Sequence, residues 1–213
     1  MSAPRREPEG TTTAVAAALA PFADTGLLVL PGFFAAADCR ALDAECDQRL
    51  AAGAFHPAAI GHGGGQRLDG GIRSDQVAWL EPAGAGPALT RYFECMEAVR
   101  ADMNRSLYLG LNGFEAHFAH YPAGAFYRRH LDRFRDDDAR TLTAVLYLNA
   151  DWPADAGGQL RVESDDGALL VAPEAGTLVL FLSGRYWHEV LPATRSRRAI
   201  SGWFLRRNAA RCW

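Results

Sequence analysis

The sequence predicts a mainly β protein with N-terminal helices: a double-stranded β-helix, or jelly-roll, core flanked by about three helices. Two observations carry this. Before residue 114, apolar residues recur at helical spacing in three stretches. From Phe114 onward eight short apolar runs alternate with turn signals: 114–121, 125–131, 141–149, 159–163, 168–171, 177–182, 186–191 and 197–206. Because the helices come first, they are expected to pack on one outer face of the sheets. A jelly-roll suits that order.

Residues 1–10 are polar and Pro-containing and are expected to be a flexible N-terminus. Residues 11–207 read as a single domain, long enough for a full core. Residues 208–213 read as a short tail. Arg5-Arg6 precede an Ala-rich run, but Glu7, Glu9 and the shortness of that run favour a first helix over 12–23 rather than a secretory leader. Gly26 ends it, and Leu27–Leu30 predicts a buried strand stopped by Pro31-Gly32. A second helix is predicted from Ala36 to Ala52, with Leu42, Cys46 and Leu50 on one face. Gly53 to Gly71, centred on Gly63-Gly64-Gly65, predicts a long mobile loop of the kind that often serves function. Ile72 to Leu80 predicts a strand. Leu89 to Leu107, after Pro87, predicts a third helix.

Composition narrows the function. A net charge of −3 gives no reason to expect nucleic acid or an acidic membrane surface as partner. No stretch reaches the roughly 18 apolar residues that span a bilayer. Cys39, Cys46, Cys95 and Cys212 form no C-x-x-C pair and no zinc-finger spacing, which fits free thiols in a reducing cytoplasm. All 22 basic residues are Arg, and with the high Ala and Gly this suggests a GC-rich bacterial source. Any anchor for an anion must then be Arg, whose planar fork suits a carboxylate.

The chemistry concentrates in His130-Leu131-Asp132, His188 and Arg197. Two imidazoles and one carboxylate can hold one face of an octahedral ferrous ion and leave three positions open. His130 and Asp132 are two apart, so strand alternation puts both on one face. An isolated H-x-D is also what a polar His beside a surface Asp looks like. Arg197 adds weight: on a strand it shares a face with Ser201 and Trp203, opposite Ile200 and Phe204, and can pair bidentately with a distal carboxylate. Arg195 and Arg198 are lesser candidates for that anchor. Tyr147, in the β-prone run Leu142–Leu148, can share the carboxylate or be a locally bonded core residue. The set suggests a non-haem oxygenase that uses Fe(II), 2-oxoglutarate and O2.

Ordered motifs extend this reading. They are Tyr121-Pro122 through Tyr127-Arg128-Arg129-His130-Leu131-Asp132, Leu146-Tyr147-Leu148-Asn149-Ala150-Asp151-Trp152, Gly157-Gly158-Gln159-Leu160-Arg161, His188-Glu189-Val190-Leu191-Pro192 and Arg197-Arg198-Ala199-Ile200-Ser201-Gly202-Trp203. Over roughly 22–207 the chain resembles the 2-oxoglutarate/Fe(II) prolyl hydroxylases, both procollagen-type and hypoxia-type. The likeness is closest to the hypoxia-type catalytic domain and its bacterial relatives. The resemblance implies Fe(II) on His130, Asp132 and His188. It implies Arg197 and Tyr147 on the distal carboxylate of 2-oxoglutarate, and Tyr121 near its other end. It implies that Arg73 and Asp75 order the mobile loop around the substrate, and that Tyr127, Arg140 and Trp203 line the entrance and hold the target peptide. For Arg140 and Trp203, surface charge and ordinary packing are the competing readings. The implied activity is 4-hydroxylation of a prolyl residue in a protein, with release of succinate and CO2 and with ascorbate as a stimulant. Elongation factor Tu is the first candidate substrate by analogy with the bacterial relatives. Alternatives are hydroxylation of a free amino acid or other small molecule, and a non-catalytic 2-oxoglutarate or oxygen sensor.

The chain departs from the animal pattern in three places. The Tyr121-to-His130 interval is one residue shorter, the loop at 53–71 is richer in Gly and poorer in charge, and His117 falls where those enzymes carry an apolar residue near the co-substrate.

Overall fold

The computed structural model describes residues 19–61, 67–133, 139–165 and 167–206. The expected flexible N-terminus, the first part of the first helix, Gly63-Gly64-Gly65 and the tail lie outside the described residues. The elements run in the order helix 19–25 (α1), β1 (Leu27–Leu30), α2 (Ala36–Ala51), β2 (His56–Pro57), β3 (Gln76–Leu80), α3 (Pro87–Leu107), β4 (Leu111–Tyr121), β5 (Tyr127–His130), β6 (Arg140–Tyr147), β7 (Leu160–Ser164), β8 (Gly167–Val171), β9 (Leu178–Leu182), β10 (His188–Val190) and β11 (Arg197–Arg206).

Two antiparallel sheets form. The larger has the order β1-β9-β6-β11-β4-β3-β2, the smaller β5-β10-β7-β8. Strand alternation assigns the faces of the larger sheet. Leu142, Ala144, Leu146, Phe118, Ile200 and Phe204 join Leu42, Leu89, Tyr92 and Met96 of the helices in one core. Val145, Tyr147, Ala119, Ala199, Val179 and Phe181 turn the other way and pack against Leu160, Val162 and Val190 of the smaller sheet. The expected jelly-roll with helices on one outer face is therefore the fold, and its functional groups sit between the two sheets.

The helices follow from their local chemistry. α3 begins at Pro87, two residues before the expected Leu89, because proline tolerates the first helical position, where its missing N–H goes unused. Its buried Leu89, Tyr92, Met96, Val99 and Met103 form one stripe at spacings of three and four. α2 buries Cys39, Leu42 and Cys46 in the same manner. No described helix is long and apolar enough to cross a membrane.

One expectation is corrected. Residues 72–75 are not strand. The N–H groups of Ile72 and Arg73 donate to the Asp69 carbonyl, and Arg73 makes only an isolated bridge, to Tyr127, so continuous pairing with β4 starts at Gln76. The described part of the loop at 53–71 carries local pairing. His56–Pro57 pairs with β3, and Ile60 pairs with Arg67.

Candidate active site

His130 ends β5 and His188 begins β10, and the two are direct partners across the antiparallel pair. A bulge separates this pairing from that of Val190 with Tyr127. Such bulges re-aim side chains beside functional sites. Asp132 lies just past the end of β5. Ligand atoms of His130, Asp132 and His188 all come within 4.8 Å of one another, the metal-capable cluster among the described residues.

The surroundings fix each ligand. His130 Nδ1 lies 2.7 Å from the Arg128 carbonyl and His188 Nδ1 lies 3.0 Å from the Tyr186 carbonyl. A carbonyl only accepts, so both Nδ1 atoms carry the proton and both Nε2 atoms keep their lone pairs for a metal. Those Nε2 atoms face Asp132 at 3.4 and 3.5 Å. The Thr143 hydroxyl donates to Asp132 Oδ2 at 2.8 Å and is itself within 2.9 Å of the Ser183 hydroxyl. Burial opposes ionisation of Asp132, but His188 and His130 beside it hold its carboxyl well below the usual carboxylate range. Burial pushes His188 down to about 4, with Asp132 opposing. An ionised carboxylate and a neutral imidazole are the forms that bind metal. Tyr127 stacks on the His130 ring at 3.5 Å, and Phe181 meets His188 edge-on at 4.7 Å. This donor set fits Fe(II).

The cluster opens into a cavity of about 320 Å³ whose wall includes Tyr121, Tyr147 and Arg197. Arg197 is buried and gives one hydrogen bond, from Nη1 to the Gly158 carbonyl at 2.9 Å. Its guanidinium lies 4.3 Å from the Tyr121 ring centre and 5.5 Å from that of Tyr147. No described carboxylate pairs with it, and Arg197 Nε and the Tyr147 hydroxyl have no hydrogen-bond partner. A buried cation without its counter-ion is costly, so this end of the cavity suits a ligand carboxylate. Of the three candidate arginines, Arg197 is the one in the cavity wall. Arg198 faces away and pairs with Asp43 and Asp47 at 2.9 and 2.6 Å, while Arg195 lies over Trp152.

The wall also includes Arg73, Trp79, His117, Tyr127, Arg140 and Trp203. Arg140 lies 3.6 Å from the Trp203 ring centre, and its Nε donates to Glu115 at 2.8 Å. Arg73 lies 4.2 Å from the Tyr127 ring centre and forms a two-pronged pair with Asp75 at 2.8 and 2.6 Å. Asp75 is buried behind Arg73 and is not part of the cavity wall. The sequence reading passed over Thr143, Ser183, Gly158 and Trp79. Thr143 had a signal: it precedes Val145 and Tyr147 by two and four residues on one face of β6. Gly158 acts through a carbonyl, which no side-chain pattern reveals.

This fold, with a His-x-Asp…His cluster and a buried arginine in one cavity, defines the class of 2-oxoglutarate- and Fe(II)-dependent oxygenases. The model of the 2OG-Fe(II) oxygenase superfamily matches residues 116–205. A prolyl-4-hydroxylase from Pseudomonas putida superposes with a TM-score of 0.83 at 48% identity, covering 91% of this chain and 100% of that one. A Trichoplax adhaerens prolyl hydroxylase, solved with a hypoxia inducible factor peptide, superposes with a TM-score of 0.80 at 26% identity, covering 91% and 88%. Mouse Egl nine homolog 1 is 37% identical over 144 residues, 62% of this chain and 35% of that protein. The chain belongs to the prolyl hydroxylase family of these oxygenases. It spans about a third of the length of the mouse relative.

Proposed function

We propose that the protein is an Fe(II)- and 2-oxoglutarate-dependent dioxygenase that hydroxylates a prolyl residue of a protein substrate at C4. The observation that carries this is the joining, in one cavity, of the His130–Asp132–His188 cluster with the partnerless buried groups of Arg197 and Tyr147. Iron bound by that cluster supplies the oxidising chemistry, in which O2 converts 2-oxoglutarate to succinate and CO2 and places one oxygen atom on the prolyl carbon. The protein's own part is position and exclusion of water. Thr143 holds the Asp132 carboxylate, and the two carbonyls hold the imidazoles. Arg197 and the Tyr147 hydroxyl grip the distal carboxylate of 2-oxoglutarate, and Tyr121 lines the same wall. Trp203, Arg140, Tyr127 and Arg73 hold the peptide so that one C–H lies in reach.

Elongation factor Tu is the first protein to test, on the strength of the family resemblance. A bacterial, cytoplasmic setting is supported by the Pseudomonas likeness and by the buried thiols of Cys39 and Cys46. Burial keeps Cys39 and Cys46 protonated, their thiols pushed up to about 11 and about 12.

The test is succinate formation by anaerobically iron-loaded protein exposed to O2, with and without a library of proline peptides. Peptide-stimulated turnover with a +16 Da product, abolished in Asp132→Ala, is expected. Turnover that ignores every peptide would redirect the assignment to a small molecule. Silence from fully loaded protein would favour a binding or sensing role.

A further inference from the structure

We propose that His117 is a substrate-positioning residue: its imidazole and the neighbouring indole N–H of Trp203 hydrogen-bond a main-chain carbonyl adjoining the target proline. This rests on the prolyl hydroxylase reading. The strand register builds the site. His117 on β4 is the direct partner of Trp79 on β3 and of Ser201 on β11, and all three belong to the cavity wall. The His117 ring lies 4.9 Å from that of Trp79 and 5.3 Å from that of Trp203. Both His117 Nδ1 and Trp203 Nε1 are shut off from solvent without a hydrogen-bond partner. A histidine that merely filled the core would normally have its ring nitrogens bonded. His117 also lies outside the metal-capable cluster.

Position assigns the pair to substrate rather than co-substrate. Four strand residues separate His117 from Tyr121, on the order of 13 Å along β4. Tyr121 and Arg197 mark one end of the cavity; His117, Trp203 and Arg140 mark the other. Burial, helped by the charges of Arg73 and Arg140, keeps the imidazole neutral, with one N–H and one lone pair.

The chemistry of proline then selects the ligand. A prolyl residue has no N–H, so the main chain around it offers chiefly carbonyl oxygens. Indole is a donor only, and a carbonyl oxygen has two lone pairs. With its proton on Nδ1, the neutral imidazole joins the Trp203 indole as a second partnerless donor, and the two together would fix which way the prolyl ring faces.

The test is a coupling cycle on iron-loaded enzyme. The probe is the blocked tripeptide acetyl-Xaa-Pro-Xaa-amide that most stimulates succinate formation, with copies carrying a thioamide, a poorer acceptor, at the carbonyl before or after the ring. We expect a thioamide at one position to cost the wild type on the order of tenfold in kcat/KM. His117→Leu should cost a similar factor with the normal peptide, through peptide KM rather than 2-oxoglutarate KM. The two losses should not multiply, and His117→Gln, which keeps an N–H, should recover part of the loss. The same coupling should appear in peptide Kd measured by tryptophan fluorescence on Mn(II)-loaded protein without O2. Losses that multiply, or a His117→Leu effect on 2-oxoglutarate KM alone, would overturn the proposal while leaving the prolyl hydroxylase reading intact. A wild type that consumes 2-oxoglutarate yet responds to no peptide would overturn both.

Discussion

Arg197 and Arg198 differ by one position in a strand and therefore face opposite ways. Arg197 enters the cavity with no described carboxylate partner; Arg198 pairs with Asp43 and Asp47 on α2. A hydrogen bond to a charged group contributes about 1.5–3 kcal/mol, and about 1.4 kcal/mol is a factor of ten. Arg197→Ala should raise the 2-oxoglutarate KM on the order of 10- to 100-fold. Arg198→Ala should move it by less than about twofold, because a partly exposed pair carries little energy. Steady-state kinetics on both variants checks this, and equal effects would remove Arg197 as the anchor. His117 makes a second residue-scale prediction. Its folded pKa is depressed to about 3 by burial and by Arg73 and Arg140, from an ordinary value of 6.5. The unfolded chain therefore binds the proton first, and stability is lost as pH falls from 6.5 toward 3, by up to about 1.4 kcal/mol per pH unit from this one group. His117→Leu removes that contribution. Urea unfolding between pH 7 and 4.5 should show a shallower decline for the variant than for the wild type; parallel curves would mean that the imidazole is solvated.

At the scale of elements, the site depends on a close approach of the Gly157-Gly158 turn to β11. Gly158 has a φ of +75°, and a Cβ there would lie 2.9 Å from Ala193 Cβ, 3.1 Å from the Trp152 ring and 3.5 Å from Arg197 Cδ. Its carbonyl also accepts from Arg197. Gly158→Ala meets a left-handed backbone cost of about 1–2 kcal/mol and overpacking of about 1–3 kcal/mol. At about 2–4 °C per kcal/mol for a chain of this size, Tm should fall by roughly 4–20 °C, and the 2-oxoglutarate KM should rise with it. A loss of Tm alone would mean that this turn does not set the Arg197 side chain. The same element shows where the sequence is legible. Period-two alternation in β11 placed Arg197, Ser201 and Trp203 on the cavity face and Ile200 and Phe204 on the helix face, because one buried face on each side makes register strict. β2 escaped notice because two exposed residues, His56 and Pro57, carry no alternation. Residues 72–75 read as strand because Ile72 and Arg73 resemble strand residues locally. Their backbone instead turns onto the Asp69 carbonyl and makes a single bridge, Arg73 to Tyr127, a pairing visible only in three dimensions.

The described molecule is a sandwich of two sheets with an electrostatically incomplete centre. Helices and two sheets bury Leu142, Leu146, Leu178, Ile200 and Phe204 completely. Between the sheets stand an ionised Asp132, a buried Arg197 without a described acid and several partnerless polar atoms. The class of chemistry was readable from sequence because His130, His188 and Arg197 are strand residues and Asp132 follows His130 by two positions. The thermodynamic incompleteness was not, because it depends on which groups fail to meet. A ligand that binds only the folded state stabilises it by about 2.7 kcal/mol at one hundred times its Kd. For a chain of this size that is roughly 5–11 °C in Tm. Mn(II) stands in for Fe(II) without turnover in the absence of O2. Mn(II) and 2-oxoglutarate together, each at saturation, should therefore raise Tm by at least that amount. The joint shift should exceed the sum of the separate ones, since the co-substrate touches both metal and Arg197. Scanning calorimetry on the wild type, Asp132→Ala and Arg197→Ala separates the contributions. Asp132→Ala should lose the metal-dependent shift and Arg197→Ala the synergy with 2-oxoglutarate. A wild-type Tm that ignores both ligands would mean that the cluster and the arginine do not form one site.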